Sequence, residues 1–129
     1  MPNNREKVEI REHDPQWVSA FRQDAADIGA VFGREALAIH HIGSTSVPGL
    51  AAKPIIDILL EVEDINRVEL ANDQMRALGY ESLGEYGLSR RRYFRKITGD
   101  KHLVHVHTWQ AGDVEIDRHI SFRDYLIAH

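Results

Sequence analysis

The sequence has no cysteine, which excludes disulfides, thiolate metal sites and a cysteine nucleophile. It has no apolar run long enough to cross a bilayer, and its opening MPNNREKVEIREHDP is too polar for a signal peptide. Basic residues are not in excess: 16 Lys and Arg stand against 20 Asp and Glu, a formal net charge of −4. Wholesale binding to a nucleic-acid backbone needs the opposite balance, so no nucleic-acid partner is expected. Internal repeats, low-complexity tracts and linkers are missing too. The phosphate-binding string GxxxxGK[ST] and the dinucleotide fingerprint GxGxxG do not occur, and Lys53 is followed by proline rather than Ser or Thr. These absences leave a cytoplasmic location and no membrane partner as the expectation.

What is present belongs to an ordinary globular domain. The 129 residues, 43% hydrophobic and 28% charged, suffice for one core and suggest a single domain over 1–129. Asp14-Pro15 reads as an N-cap followed by proline at the first helical position. Trp17, Phe21, Ile28 and Phe32 then recur at helical spacing as far as Gly33. Residues 36–42 and 54–62 read as strands, the second apolar enough to be buried on both faces. Asp64 is placed to cap a helix running to about residue 78, with Ile65, Val68, Ala71, Met75 and Leu78 on one face and Gly79 ending it. Three further strands are expected at 80–84, 91–97 and 103–109, with Gly84, Gly87, Gly99 and Asp100 in the turns. A last helix runs from Asp113, with Ile116, Ile120 and Ile127 on one face and Phe122 and Leu126 spaced for the core. The sum is an α+β domain, helices packed on a mixed β-sheet.

Two features of HHIGSTSVPGLAAKPIIDILLEV, from His40 to Val62, need explaining. A strand ending at Ile42, then Gly43, Ser44, Thr45 and Ser46, would place backbone N–H groups and hydroxyls at the start of a short helix, an anion-binding arrangement. The same residues also suit a plain cap and turn. The second feature is Asp57, a carboxylate inside an apolar strand, which is costly to bury unless paired or bound to metal. Lys53, an arginine or a histidine could be its partner, or it could hold a metal beside the turn.

Gly43-Ser44, twelve intervening residues and then Asp57 in an apolar strand resemble the nucleotidyltransferase-fold signature. The longer string HIGSTSVPGLAAKPIIDI, with DPQW, RRRYFRK, LVHVH and RHISFRDYLIAH in that order, resembles the GrpB family of that superfamily, whose members also occur fused to bacterial dephospho-coenzyme A kinases. The resemblance covers the chain from His13 to His129. It implies a nucleotidyltransferase-like fold, a nucleotide or other phosphorylated small molecule as partner, phosphates held by Gly43 and Ser44, and a divalent metal, Mg or Mn, on Asp57, the candidate catalytic residue. Family members usually continue with a further helix. A chain lacking it would expose an apolar patch and could form a homodimer to cover it.

One departure from the superfamily pattern is sharp. The second metal-binding carboxylate belongs two residues after Asp57, and that residue is Leu59. Glu61 shares the Asp57 face but lies roughly 13 Å along the strand. His105 and His107 alternate with apolar residues, so a strand would direct both to one face. Beside Asp57 they would make a two-histidine, one-carboxylate set suited to Zn, Mn or Fe. His102 falls on the opposite parity from His107. In the basic run, Arg91, Tyr93 and Arg95 share one strand face, and Arg92, Phe94 and Lys96 the other. Arginine's planar fork suits phosphate, so Arg91, Arg92 and Arg95 join Lys53 as candidate anion-binding residues. In the C-terminal block, Arg118, His119, Phe122, Arg123 and Asp124 read as non-catalytic, with Arg123 a partner for a buried carboxylate. Three functions compete: metal-dependent nucleotidyl transfer, nucleotide binding without chemistry, and a His/Asp metal-dependent hydrolase.

Overall fold

The computed structural model describes residues 9–129, so residues 1–8 of the polar opening stretch lie outside it. Five strands form one mixed sheet: β1 (Ala36–Ile42), β2 (Ile56–Val62), β3 (Tyr80–Ser82), β4 (Arg92–Thr98) and β5 (Lys101–Gln110). Their order across the sheet is β1-β2-β5-β4-β3. Only the β2–β5 pair is parallel. The described residues also form three α-helices: α1 (Gln16–Phe32), α2 (Asn72–Ala77) and α3 (Val114–Ala128).

The alternation of β2 dictates a two-sided core. Ile56, Ile58, Leu60 and Val62 face α1 and α2, packing with Ile28, Phe32, Met75, Phe94 and Val106. Leu59 faces the other way and packs with Ile42, Trp109 and Ile116 under α3. Each such aliphatic side chain, taken fully out of water, contributes about 1.5–3 kcal/mol. α3 touches the sheet at β1 and β2. Its side of the sheet also carries the polar residues of β2, β5 and β4, and the site lies there.

Local sequence accounts for most boundaries. Asp14 starts α1: its Oδ1 accepts from Gln16 N at 2.9 Å, and Pro15 is already helical at φ −58°, ψ −22°. β2 begins at Ile56 rather than residue 54, because Pro54 has no N–H to give a ladder. The helix expected over 64–78 is two pieces, a 3₁₀ segment Ile65–Ala71 and then α2. Ile65, Val68 and Ala71 recur every three residues, which is the 3₁₀ period rather than the α period. Asp64 does cap it, accepting from Asn66 N at 3.0 Å.

α3 departs furthest from expectation. Ile116 is buried and Ile120 packs beside it, but Phe122 is 64% exposed and Ile127 and Tyr125 are exposed as well. The helix meets the sheet mainly through its first half, so Phe122, Tyr125 and Ile127 are left uncovered, while Leu126 is half-buried. Arg123 is not the partner of a buried carboxylate. Its Nη1 donates to the His41 carbonyl at 3.2 Å, and it pairs with the exposed Asp124.

Candidate functional site

Strand register builds the site as rows on the α3 side of the sheet. Ile42 pairs with Asp57, Asp57 with His105, His105 with Arg95, and Arg95 with Glu81. The neighbouring row is His40, Leu59, His107 and Tyr93. Directly opposed residues on paired strands share a face, so one aspartate, two histidines and a tyrosine converge there. Glu61 is one step further along and is taken by a hydrogen bond with His40 Nε2.

Gly43 closes this group tightly against the chain turn. It holds φ +74°, ψ −176°, a region open essentially to glycine alone. A Cβ there would lie 2.5 Å from Asp57 Oδ2 and 2.9 Å from its Cβ, so the position excludes a side chain twice over. Ser44–Ser46 is a single 3₁₀ turn, too short to carry the dipole of a longer helix. Thr45, only 1% exposed, donates its hydroxyl to the Ile55 carbonyl at 3.2 Å and lies 3.0 Å from His41 Nε2. Ser46 donates to the Gly43 carbonyl. Ser44 is exposed, so the turn presents one hydroxyl outward while two hold its shape. Lys53 is exposed and forms no ion pair with Asp57 or any other carboxylate among the described residues.

Asp57 faces two imidazoles without bonding to either. His105 Nδ1 is 3.5 Å and His107 Nε2 3.9 Å from Oδ1, both beyond a well-formed hydrogen bond. His107 is half-buried, and desolvation, outweighing the attraction of Asp57, lowers its pKa to about 4. It is therefore neutral at pH 7. Its Nδ1 lies 3.3 Å from Arg91 Nη1. A guanidinium only donates, so Nδ1 accepts and the ring proton sits on Nε2, toward Asp57. His105 shares a hydrogen bond with His102, Nε2 to Nδ1 at 2.8 Å. That contact reverses the parity expectation for His102. A bulge between Lys96/Ile97 and Val104/His102 inserts one extra residue in β5 and moves His102 to the site face. Burial also lowers the pKa of His102 and of His119, whose ring lies 5.4 Å from His107.

The three arginines have different fates. Arg91 is 6% exposed and spends its donors inside the chain, on the carbonyls of Glu85 (3.2 Å) and Tyr86 (2.8 Å) and on His107. Arg92 lies on the opposite face and pairs with Glu69, so it does not share the Asp57 site. Arg95 is on the site face, held by Glu81 at 2.8 Å. Tyr93 is enclosed by Arg91, His105, His107 and Tyr86. His119 and Tyr86 carry no sequence signal of their own: one comes from a distant helix, the other from a loop.

The fold implies a divalent metal, and the side chains do not form a resident site for one. Leu59, which stands where a second carboxylate belongs, is 0% exposed beneath Trp109 and Ile116. A metal on His107 Nε2 would force the ring proton onto Nδ1, against the Arg91 donor. No group of three or more His, Asp or Glu side chains among the described residues is arranged to hold an ion. Asp57 alone is left to face one.

A five-stranded mixed sheet with this turn and this aspartate defines a nucleotidyltransferase-like fold. The Cid1 poly(U) polymerase superposes at a TM-score of 0.55 over 90% of this chain and 37% of its own, at 12% identity, a likeness of fold alone. The chain belongs to the GrpB family, whose sequence model, GrpB protein, matches residues 7–129. The UPF0157 protein YqkA of Bacillus subtilis is 50% identical over 123 residues, 95% of this chain and 36% of that protein. The chain thus spans about a third of that relative's length. The crystal structure of the conserved protein GrpB from Enterococcus faecalis matches at a TM-score of 0.91 and 45% identity, over 94% of this chain and 73% of that one. A dephospho-CoA kinase of Mycolicibacterium paratuberculosis is 32% identical over 61% of this chain and 20% of its own length. None of the described helices is long and apolar enough to cross a membrane.

Proposed function

We propose that this domain binds a nucleotide or other phosphorylated small molecule at the edge formed by Gly43, Ser44 and Asp57, without the paired-carboxylate chemistry of a polymerase. The observation that carries this reading is the substitution of a buried Leu59 for the second carboxylate beside an otherwise intact turn and aspartate. Mg is commonly held by one or two carboxylates together with substrate phosphates. An ion arriving on the ligand therefore needs only Asp57 from the protein. Arg95 supplies positive charge two strands along the same row, beyond His105, and the exposed Ser44 hydroxyl is a donor for a phosphate oxygen. The partial likeness to a dephospho-CoA kinase agrees with a binding role beside phosphate chemistry.

The test is a thermal-shift titration with nucleoside triphosphates and coenzyme A precursors, each with Mg, Mn, Zn or EDTA, on the wild type, Ser44→Ala and Asp57→Ala. A ligand at a hundred times its Kd should stabilise the native state by about 2.7 kcal/mol. Stabilisation that needs a divalent ion and is lost in Asp57→Ala supports the reading. No stabilisation by any of these ligands overturns it.

A further inference from the structure

The geometry points to Tyr86 as a stacking platform for the base of a nucleotide, which narrows the ligand from phosphorylated molecules in general to those carrying an aromatic heterocycle. This inference rests on the reading that phosphates sit at Gly43 and Asp57.

Tyr86 is in an unfavourable place for an ordinary loop residue. Its φ is +49°, and among the described residues only it and Arg90 hold positive φ without being glycine. A left-handed conformation costs a side-chain-bearing residue about 1–2 kcal/mol, and bulky residues there are genuine outliers. Such strain persists when the surroundings over-determine it, and it gathers at functional sites. Here the determinant is visible. Arg91, buried beneath the loop, donates to the carbonyls of both Glu85 and Tyr86. Glu85 in turn accepts from Arg90 N at 2.9 Å, and Tyr93 N donates to the Gly84 carbonyl at 2.8 Å.

The result of this bracing is a ring held flat and open. Tyr86 lies parallel to Tyr93, 3° between planes and 5.2 Å between centroids, yet remains 54% exposed. The Arg95 guanidinium stands 5.8 Å from its centroid. The strained loop thus holds an aromatic side chain half-exposed, with a cation over its ring. Tyr93 is two strands from Asp57, about 10 Å across the sheet, and Arg91 joins the loop to His107 at the Asp57 site. Tyr86 lies a further 5.2 Å away, ring centroid to ring centroid, so the platform and the phosphate edge share one face of the sheet and an extended ligand is needed to reach both. Stacking suits any base, because each has a π-face, and a purine offers the larger one.

Isothermal titration calorimetry with ATP and with inorganic triphosphate, both with Mg, tests this on the wild type, Tyr86→Ala and Tyr86→Phe. The wild type should bind ATP more tightly than triphosphate. Tyr86→Ala should weaken ATP about tenfold, the low end of a base–aromatic contact, while triphosphate binding stays unchanged and confirms the fold. Tyr86→Phe should keep wild-type affinity for both. An equal loss for ATP and triphosphate in Tyr86→Ala, or no loss for ATP, overturns the platform. Triphosphate binding with no added affinity for ATP in the wild type also overturns it and leaves the phosphate reading standing. No binding of either ligand removes both.

Discussion

Replacing Gly43 by alanine tests the packing of the turn against Asp57 most directly. Two costs are legible. The backbone conformation, φ +74° and ψ −176°, charges an alanine about 1–3 kcal/mol. The new methyl would then stand 2.5 Å from Asp57 Oδ2, 3.0 Å from Cγ and 2.9 Å from Cβ. Relieving that overlap displaces either the carboxylate or the β1–β2 ladder, where Ile42 pairs with Asp57. Overpacking of this kind costs typically about 1–3 kcal/mol, for a total of about 2–6 kcal/mol. Gly49→Ala is the control, since Gly49 has a similar φ of +79° and open space where its Cβ would go. It should cost only about 1–2 kcal/mol. Urea unfolding followed through Trp109, which is buried, supplies both values. The decisive comparison is a double-mutant cycle. In an Asp57→Ala background the methyl at 43 meets only the Cβ at 57, so Gly43→Ala should cost at least 1 kcal/mol less than in the wild type. Equal costs in the two backgrounds would refute the argument.

Four other outcomes follow from the same geometry. Leu59→Asp, which restores the superfamily's pair in sequence, should destabilise the fold by about 3 kcal/mol or more, because it puts a charge among Ile42, Trp109 and Ile116; an unchanged thermal midpoint would sink that reading. His107 and His41 both have pKa values lowered to about 4, chiefly by burial, so each is neutral in the fold and takes up a proton more readily when unfolded. Their contribution is present above about pH 6.5 and is lost as pH falls toward 4, a steep acid limb in urea midpoints that His107→Gln should flatten. Arg91→Lys replaces a fork serving three acceptors with a point charge and should cost about 2 kcal/mol and raise amide exchange over 84–90, whereas Arg92→Lys, an ion pair with an exposed glutamate, should cost under about 1 kcal/mol. Asp57→Asn should leave stability unchanged or raise it by about 0.5–1 kcal/mol while removing ligand-induced stabilisation, since the carboxylate is half-buried and forms no hydrogen bond in the fold; a marked loss of stability would assign Asp57 a structural role.

Period carried most of the fold. The strand at Ala36–Ile42 and the helix from Asp14 follow from alternation and capping, which are local rules. The apolar run of β2 marked it as central, and it is, paired on both sides by β1 and β5. Length misled where the period changed. Residues 65–71 repeat every three positions and form a 3₁₀ segment, although their apolar face reads as that of one α-helix. Phe122 was misjudged for a different reason. Helical spacing shows which residues share a face but not how much of that face meets the sheet, and the apolar packing of α3 centres on Ile116 and Ile120.

At the site, sequence could pair residues within a strand but not place strands beside one another. Asp57, His105 and His107 meet because β5 runs parallel to β2 in a register that sets Asp57 against His105, and no local signal encodes that register. The same limit explains the arginines. Parity separated Arg91 and Arg95 from Arg92, and burial then separated Arg91 from Arg95: one is spent on carbonyls, the other stands beside an exposed ring. His102 shows how one inserted residue undoes a parity argument, since the bulge in β5 returns it to the site face. The consequence is chemical as well as geometric. His105 and His107 face the Asp57 carboxylate, and His107, its pKa lowered to about 4 chiefly by burial, brings no positive charge at neutral pH. On the proposed reading, neutralising an anion there would fall to Arg95 and to a cation brought by the ligand, so binding should depend on divalent ions, since no group of three or more ligating side chains among the described residues is arranged to hold one.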